Sequence, residues 1–254
     1  MKGSDSALLA LASAGPVETH EDVLARLRAI DAELAPSDGL VWFNRLYLAM
    51  TASVVEHARK GRFEDPMFVE RLDCHRANLY LVGLAAHLSD PGTGPACWEP
   101  LFRARSQGGI LPVQYALVGA NAHLNRDLPV ALVTTFLELD REPARDSVCY
   151  SDYQRLGAAL EVALGDVRSW LLGPETSAVD LALGQLDDAF EVWSVRRARE
   201  AAWIAAEVRW ALRASPIVSR HHLEALDRMV GMANRGLLHP LPHIDRRPSS
   251  VPGR

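Results

Sequence analysis

The sequence predicts an all-α protein. Apolar residues recur at the three- and four-residue spacing of helices, β-branched residues rarely cluster, and no turn dipeptide joins two alternating runs. The chain has 254 residues, of which 48% are hydrophobic and 23% charged, so it can bury a core without disulfides or metal ions. We therefore expect a single-domain bundle of seven to nine helices.

Capping residues and prolines mark where several helices should begin. A side-chain oxygen at a helix start accepts a free backbone N–H, and proline tolerates the first turn because its missing donor is not needed there. Four predicted helices open in this way, at Thr19, Asp65-Pro66, Ser151-Asp152 and Ser215-Pro216. The other predicted helical segments are Leu40 to Lys60, Val113 to Leu139 and Ser177 to Ala214.

The two ends of the chain lack the pattern of the helical domain. We expect residues 1–18 to be flexible or weakly helical and residues 19–238 to form one all-helical domain. Residues 239–254 are rich in proline, arginine and serine, a composition that favours disorder. The glycine- and proline-rich loops between the helices are too short to separate two domains.

Charge and composition exclude several kinds of partner. The 27 basic and 32 acidic side chains give a net charge of −5, whereas a nucleic-acid partner requires a basic face. No segment approaches the roughly 18 apolar residues that span a membrane. The three cysteines show no metal-binding spacing and fit a reducing cytoplasm. We expect a cytoplasmic protein with a small-molecule ligand and leave its oligomeric state open.

The segment Val113 to Leu139 is apolar all round and is predicted to be a buried central helix. His123 and Asp127 are four residues apart and share a face with small residues, whereas Asn121 and Asn125 form a second pair on the opposite side. Pro129 cannot donate a hydrogen bond to the helix, which should kink or loosen before it.

Other helices place polar residues beside apolar stripes. Asp73 has apolar neighbours on its face, so its carboxylate must be paired or protonated. Asn44 and Tyr47 lie on or beside the apolar stripe of the helix that begins at Leu40. Arg199 and Trp203 could hold an anionic or aromatic ligand, or they could belong to an ordinary amphipathic helix.

These residues support two hypotheses. In the first, the protein is a small-molecule enzyme, a hydrolase or a tailoring enzyme of secondary metabolism, with His123 as general base or as ligand of one divalent metal ion. Asp127 and Asp73 would orient the imidazole or complete the coordination. The expected substrate-binding residues are Asn44, Asn121, Tyr47, Arg199 and Trp203. In the second hypothesis, the protein is a non-catalytic ligand-binding or scaffold protein in which the same polar groups only specify the fold.

Four segments occur in an order that resembles a mostly actinobacterial family, catalogued as a domain of unknown function (number 5995). The resemblance extends from Leu40 to Leu238 and implies a cytoplasmic, all-helical single domain, with no activity attached. The segments that carry it are Val41 to Leu48, Arg71 to Asp73, Gly119 to Pro129 and Ala198 to Trp203.

The spacing of His123 and Asp127 also resembles, locally, the H-x-x-x-D segment of the all-helical zinc-dependent phospholipase C and single-strand nuclease enzymes. By this resemblance, Asp73 and Asp152 would stand in for the upstream and downstream acids. It implies at most one metal ion, because no other histidine lies between His123 and His221.

Overall fold

The computed structural model describes residues 3–158, 160 and 195–239, and every regular element in these residues is helical. The predicted all-α class is confirmed. The elements are α1 (Gly3–Ala12), α2 (His20–Glu33), α3 (Leu40–Arg59), α4 (Pro66–Ser89), α5 (Glu99–Ala104), α6 (Pro112–Ala122), a π-helical turn (His123–Asp127), α7 (Leu128–Glu138), α8 (148–158), α9 (Val195–Ala211), a 3₁₀ turn (Leu212–Ala214) and α10 (Pro216–Leu237). Because α6, the π turn and α7 are continuous, the described residues contain nine helices, within the predicted range.

Side-chain caps fix the starts of α2 and α4 as predicted. Thr19 accepts a hydrogen bond from the backbone N–H of Asp22, whose carboxylate accepts one from the N–H of Thr19. The Asp65 carboxylate accepts from the N–H of Phe68 at 3.1 Å, with Pro66 in the first turn of α4. The sequence therefore defines both helix starts locally.

The predicted start of α8 is wrong by one turn. The helix begins at residue 148, not at Ser151, because the Ser147 hydroxyl accepts a hydrogen bond from the N–H of Tyr150 at 3.2 Å. Asp152 lies within α8 and accepts from the backbone N–H groups of Glu64 and Asp65. Its carboxylate thus attaches α8 to the start of α4.

The N-terminal segment contains a docked helix. Leu8 of α1 is fully buried in the core, and Asp5 forms an ion pair with Arg105 at 3.2 Å. At the other end, residues 240–254 of the expected disordered tail lie outside the described residues, as does the part of the Ser177 to Ala214 prediction before residue 195.

Two apolar clusters form the core and share α3, α4 and α6. One cluster joins these helices to α1, α2, α5 and the end of α10, and the other joins them to α7, α8 and α9. Every residue from Val113 to Ala122 of α6 is buried, as expected of a central helix. A Cβ atom at Gly119 would lie 2.2 Å from the ring of Phe43, so only glycine permits this close approach of α6 to α3.

The central helix loosens before Pro129, as predicted, and it does so as a π turn. The N–H of Leu128 donates to the carbonyl of His123, five residues earlier, instead of to the usual carbonyl four residues earlier. Pro129 follows in the first turn of α7 and supplies no donor. The π turn contacts α4, α9 and α10, so its side chains lie where several helices meet. None of the helices in the described ranges has the length and hydropathy needed to cross a membrane.

Candidate functional site

The π turn places the imidazole of His123 in an aromatic enclosure. The side chain is almost fully buried, and its ring centroid lies 4.4 Å from that of Tyr47 and 5.9 Å from that of Phe43. Its Nδ1 atom is 3.8 Å from the Asp127 carboxylate, which is too far for a hydrogen bond. Both ring nitrogens of His123 are buried, and neither has a hydrogen-bond partner among the described residues.

Asp127 is fully buried and held by two other donors. One carboxylate oxygen accepts from the indole N–H of Trp98 at 2.9 Å, and the other accepts from Arg126 at 2.8 Å. The adjacent guanidinium compensates the buried charge, and the indole fixes its orientation. The carboxylate thus faces His123 from a rigid position.

Burial sets the protonation states of the two aromatic polar side chains. Desolvation, assisted by the positive charge of Arg76, lowers the pKa of His123 to about 4, so the imidazole is neutral at pH 7. Desolvation and the nearby charge of Asp73 raise the pKa of Tyr47 well above its ordinary value. Tyr47 is therefore a phenol that can donate a hydrogen bond.

Asp73 is paired, and its partner is a residue that the sequence analysis missed. The His20 imidazole at the start of α2 lies 3.2 Å from the Asp73 carboxylate, and both side chains are buried. Burial alone would lower the pKa of His20, but the hydrogen bond and charge of Asp73 outweigh it and raise the pKa. The helical spacing of apolar residues does not identify His20, because this residue directly follows the N-cap of its own helix.

Arg76 is the second residue that the sequence analysis missed. It lies one turn after Asp73 on α4, is 3% exposed, and places its guanidinium carbon 5.8 Å from the centroid of the Tyr47 ring. Its Nε atom has no hydrogen-bond partner, and it forms no ion pair with any other described residue. In sequence it resembles the surface arginines of the other helices. We refer to the following six residues as the histidine cluster: His20, Tyr47, Asp73, Arg76, His123 and Asp127.

The two asparagines predicted to bind substrate are separated by the fold. The Asn44 amide donates to the carbonyl of Leu27 at 3.0 Å and joins α3 to α2, while its buried Oδ1 atom has no partner. Asn121 points to the other side of the central helix, where its amide donates to Asn234 of α10 at 2.7 Å. Asn125 donates to Asn121 at 2.6 Å. Asn121 therefore lies outside the histidine cluster.

Arg199 and Trp203 connect helices instead of lining the cluster. A guanidinium N–H of Arg199 donates to the carbonyl of Tyr153, and the Tyr153 hydroxyl donates to the carbonyl of Arg199 at 2.6 Å. The fully buried Trp203 packs on Tyr153 and donates to Glu207 at 2.9 Å. These contacts hold α9 against α8, which accounts for the polar face seen in the sequence.

A family model described as "Family of unknown function (DUF5995)" matches residues 20–240 of the chain. The chain belongs to this family. No curated protein and no solved structure matches it. The matched range includes α2 to α10 and every residue of the histidine cluster, so the cluster is part of the domain that defines the family.

In this family member, the predicted three-residue metal site is not assembled. Among the described residues, no three His, Cys, Asp or Glu side chains lie where they could hold one ion. Asp73 pairs with His20, Asp127 binds Trp98 and Arg126, and the charge of Arg76 is close enough to lower the pKa of His123. The described residues therefore show no preformed three-ligand site, and ligation of one ion by His123, Asp127 and Asp73 stays a prediction.

Proposed function

We propose that the chain is a small-molecule enzyme, a hydrolase or a tailoring enzyme, in which His123 acts as a metal-free acid/base group. One observation supports this assignment most strongly: both ring nitrogens of the buried, neutral imidazole lack a partner. A buried polar group without a hydrogen bond costs about 1–3 kcal/mol, and native proteins rarely retain such groups without a functional reason.

The unpartnered groups are concentrated around His123. Within the described part of the chain, the Tyr47 hydroxyl, the Nε of Arg76 and the Nε2 of His20 are also buried without partners. A network that served only to specify the fold would satisfy its members, because an incompletely bonded polar network is less stable than an apolar core. This concentration of donors and acceptors favours a ligand site.

The geometry suggests a role for each residue. His123 takes a proton from the substrate, and Asp127, facing Nδ1 from 3.8 Å, orients and stabilises the imidazolium that forms. The fixed positive charge of Arg76 stabilises negative charge that develops on the substrate in a desolvated site. Tyr47 donates a hydrogen bond to the same group. Asp73 and His20 position α4 and α2 around the cluster.

Metabolite conversion tests this proposal. Purified protein is incubated with a cellular metabolite extract, and consumed and formed compounds are followed by mass spectrometry for wild type, His123→Gln and His57→Gln. His57 is a matched control because it lies half-buried on α3, and its imidazole bonds, among the described residues, to the carbonyl of Ser53 in the same helix. We expect wild type and His57→Gln to convert the same compound at equal rates, and His123→Gln to be slower by about 10²-fold or more.

Circular dichroism separates the two hypotheses. If His123 is catalytic, His123→Gln keeps the helical spectrum while the conversion is lost. If wild type converts nothing and the substitution changes only the stability, the polar cluster is structural, and the non-catalytic ligand-binding or scaffold hypothesis replaces the proposal.

A further inference from the structure

A cleft lies on the other side of the central helix from His123. The π turn, α9 and α10 enclose a cleft of about 360 Å³, within the range of small-molecule pockets. Alanines on both helices create the space: Ala201, Ala202 and Ala205 of α9 and Ala233 of α10. Leu226, Met229 and Val230 of α10 complete the apolar lining. Its polar lining comes from the amides of the asparagine pair in the central helix, Asn121 and Asn125.

Two basic residues lie one helical turn beyond the residues that line this cleft, toward the connection between α9 and α10. Arg209 follows Ala205 by one helical turn on α9, and His222 precedes Leu226 by one turn on α10, so each shares the cleft-lining face of its helix. The 3₁₀ turn Leu212–Ala214 joins α9 to α10 and contacts both helices, so Arg209 and His222 lie near the helix ends that flank this turn. The charge of Arg209 is close enough to lower the pKa of His222.

Arg209 is a buried cation that has no acidic partner in the described part of the chain. The residue is 9% exposed, and its Nε and Nη1 atoms have no hydrogen-bond partner among the described residues. It forms no ion pair with the rest of the described chain, and burial together with the charge of Arg126 lowers its pKa. The buried Nδ1 atom of His222 also lacks a partner. An unpaired buried charge costs several kcal/mol, so this end of the cleft is suited to an anion.

We propose that the cleft binds an amphipathic small molecule whose apolar chain lies between α9 and α10 and whose anionic head group is bound by Arg209 and His222. The head group is a carboxylate or a phosphate monoester, because a planar guanidinium binds both through paired hydrogen bonds. The alanine-lined cleft requires an apolar body, and the uncompensated charge requires the anion. No residue of the histidine cluster takes part, so this site is independent of the proposed enzymatic function.

Calorimetric titration of the full chain tests the ligand class. The probes are decanoate and decyl phosphate below their micellar concentrations, with decanol and inorganic phosphate as comparisons that each lack one half of the ligand. We expect decanoate or decyl phosphate to bind with one-to-one stoichiometry, at least about tenfold more tightly than either comparison. The stronger of the two identifies the head group.

Three results would overturn the proposal. If neither amphiphile binds, the cleft is not a site; if decanol binds equally well, Arg209 is not needed; if inorganic phosphate binds equally well, the apolar cleft is not needed.

Matched variants locate the site. Arg209→Gln removes an unpaired buried charge, so it should fold, and it should weaken binding of the preferred amphiphile at least about tenfold. Arg228→Gln removes an exposed charge on another face of α10 and should bind like wild type. Ala205→Phe fills the cleft and should also weaken binding. Wild-type affinity in folded Arg209→Gln would contradict the assignment.

Discussion

Tyr47 and Tyr153 are both buried, and they differ in the partners of their hydroxyl groups. The Tyr153 hydroxyl donates to the carbonyl of Arg199 at 2.6 Å, whereas the Tyr47 hydroxyl has no partner in the residues that the structure describes. A buried hydrogen bond contributes about 1 kcal/mol to stability, and an unpaired hydroxyl opposes folding. The Tyr153 hydroxyl therefore supports the fold, whereas the Tyr47 hydroxyl is available to a ligand.

This contrast gives a prediction for phenylalanine substitutions. Tyr47→Phe should leave the free energy of unfolding unchanged or raise it by up to about 1 kcal/mol, because it removes an unsatisfied group. Tyr153→Phe should lower it by about 1–2 kcal/mol, because the carbonyl of Arg199 loses a donor. Urea unfolding of both variants measures the difference. Equal destabilisation would mean that the Tyr47 hydroxyl has a partner in solution.

The two histidines of the cluster titrate in opposite directions. The pKa of His123 falls to about 4 on folding, and the pKa of His20 rises above its ordinary value of 6.5. Between pH 4 and 6.5 the unfolded chain binds a proton at His123 that the folded chain does not, so His123 makes the fold less stable as the pH falls. His20 has the opposite effect. The stability that it contributes is present at low pH and is lost as the pH rises through the pKa of His20 in the folded protein.

We predict that His123→Gln flattens the pH dependence of stability. Relative to the variant, wild type should lose roughly 3 kcal/mol of unfolding free energy between pH 7 and pH 4, from the pKa difference of His123. Urea unfolding across this range measures the difference. His20→Gln should steepen the loss of stability on acidification. Parallel curves for wild type and His123→Gln would show that this imidazole does not stay neutral in the folded protein.

At the scale of elements, α10 closes the bundle through backbone contacts. The Asp227 carboxylate accepts from the N–H groups of Ala96 and Cys97, and the fully buried Asn234 donates to the carbonyls of Cys97 and Val118. Between them, Gly231 lies against the carbonyl of Ala96, where a Cβ atom would come within 2.4 Å. The small residue is required because helix and backbone are in direct contact.

Two glycines of α10 provide a matched test of this packing. Gly231→Ala should lower the free energy of unfolding by about 1–3 kcal/mol, because backbone atoms of Ala96 must move. Gly236→Ala, five residues along the same helix and facing open space, should raise it by up to about 1 kcal/mol through helix propensity. Thermal melting of both variants compares them. If Gly231→Ala left the free energy of unfolding unchanged, α10 would pack against Ala96 more loosely than it does in this structure.

At the scale of the whole molecule, the central helix ties the two apolar clusters together. Residues of α6 belong to both clusters, and the Gln114 side chain at its start donates to the carbonyls of Leu237 and His239. At its other end, His123 in the π turn packs on Tyr47 of α3, and Asn121 in the preceding turn donates a hydrogen bond to Asn234 of α10. The two proposed sites therefore lie on opposite sides of one buried helix.

The sequence by itself determined the all-α class, the caps of α2 and α4, the buried central helix with its loosened turn, and the burial of Asp73, His123 and Asp127. Each of these follows from periodicity or from a local capping rule, which need only a few neighbouring residues. The tertiary structure decided the partners. His20 meets Asp73 across 53 residues, and Asn121 meets Asn234 across 113. Helical periodicity identifies the face that is buried, but the neighbour on that face depends on how the helices pack. For the same reason, Arg76 and Arg209 resemble surface arginines in sequence, and only the packed bundle buries their charges without an acidic partner among the described residues.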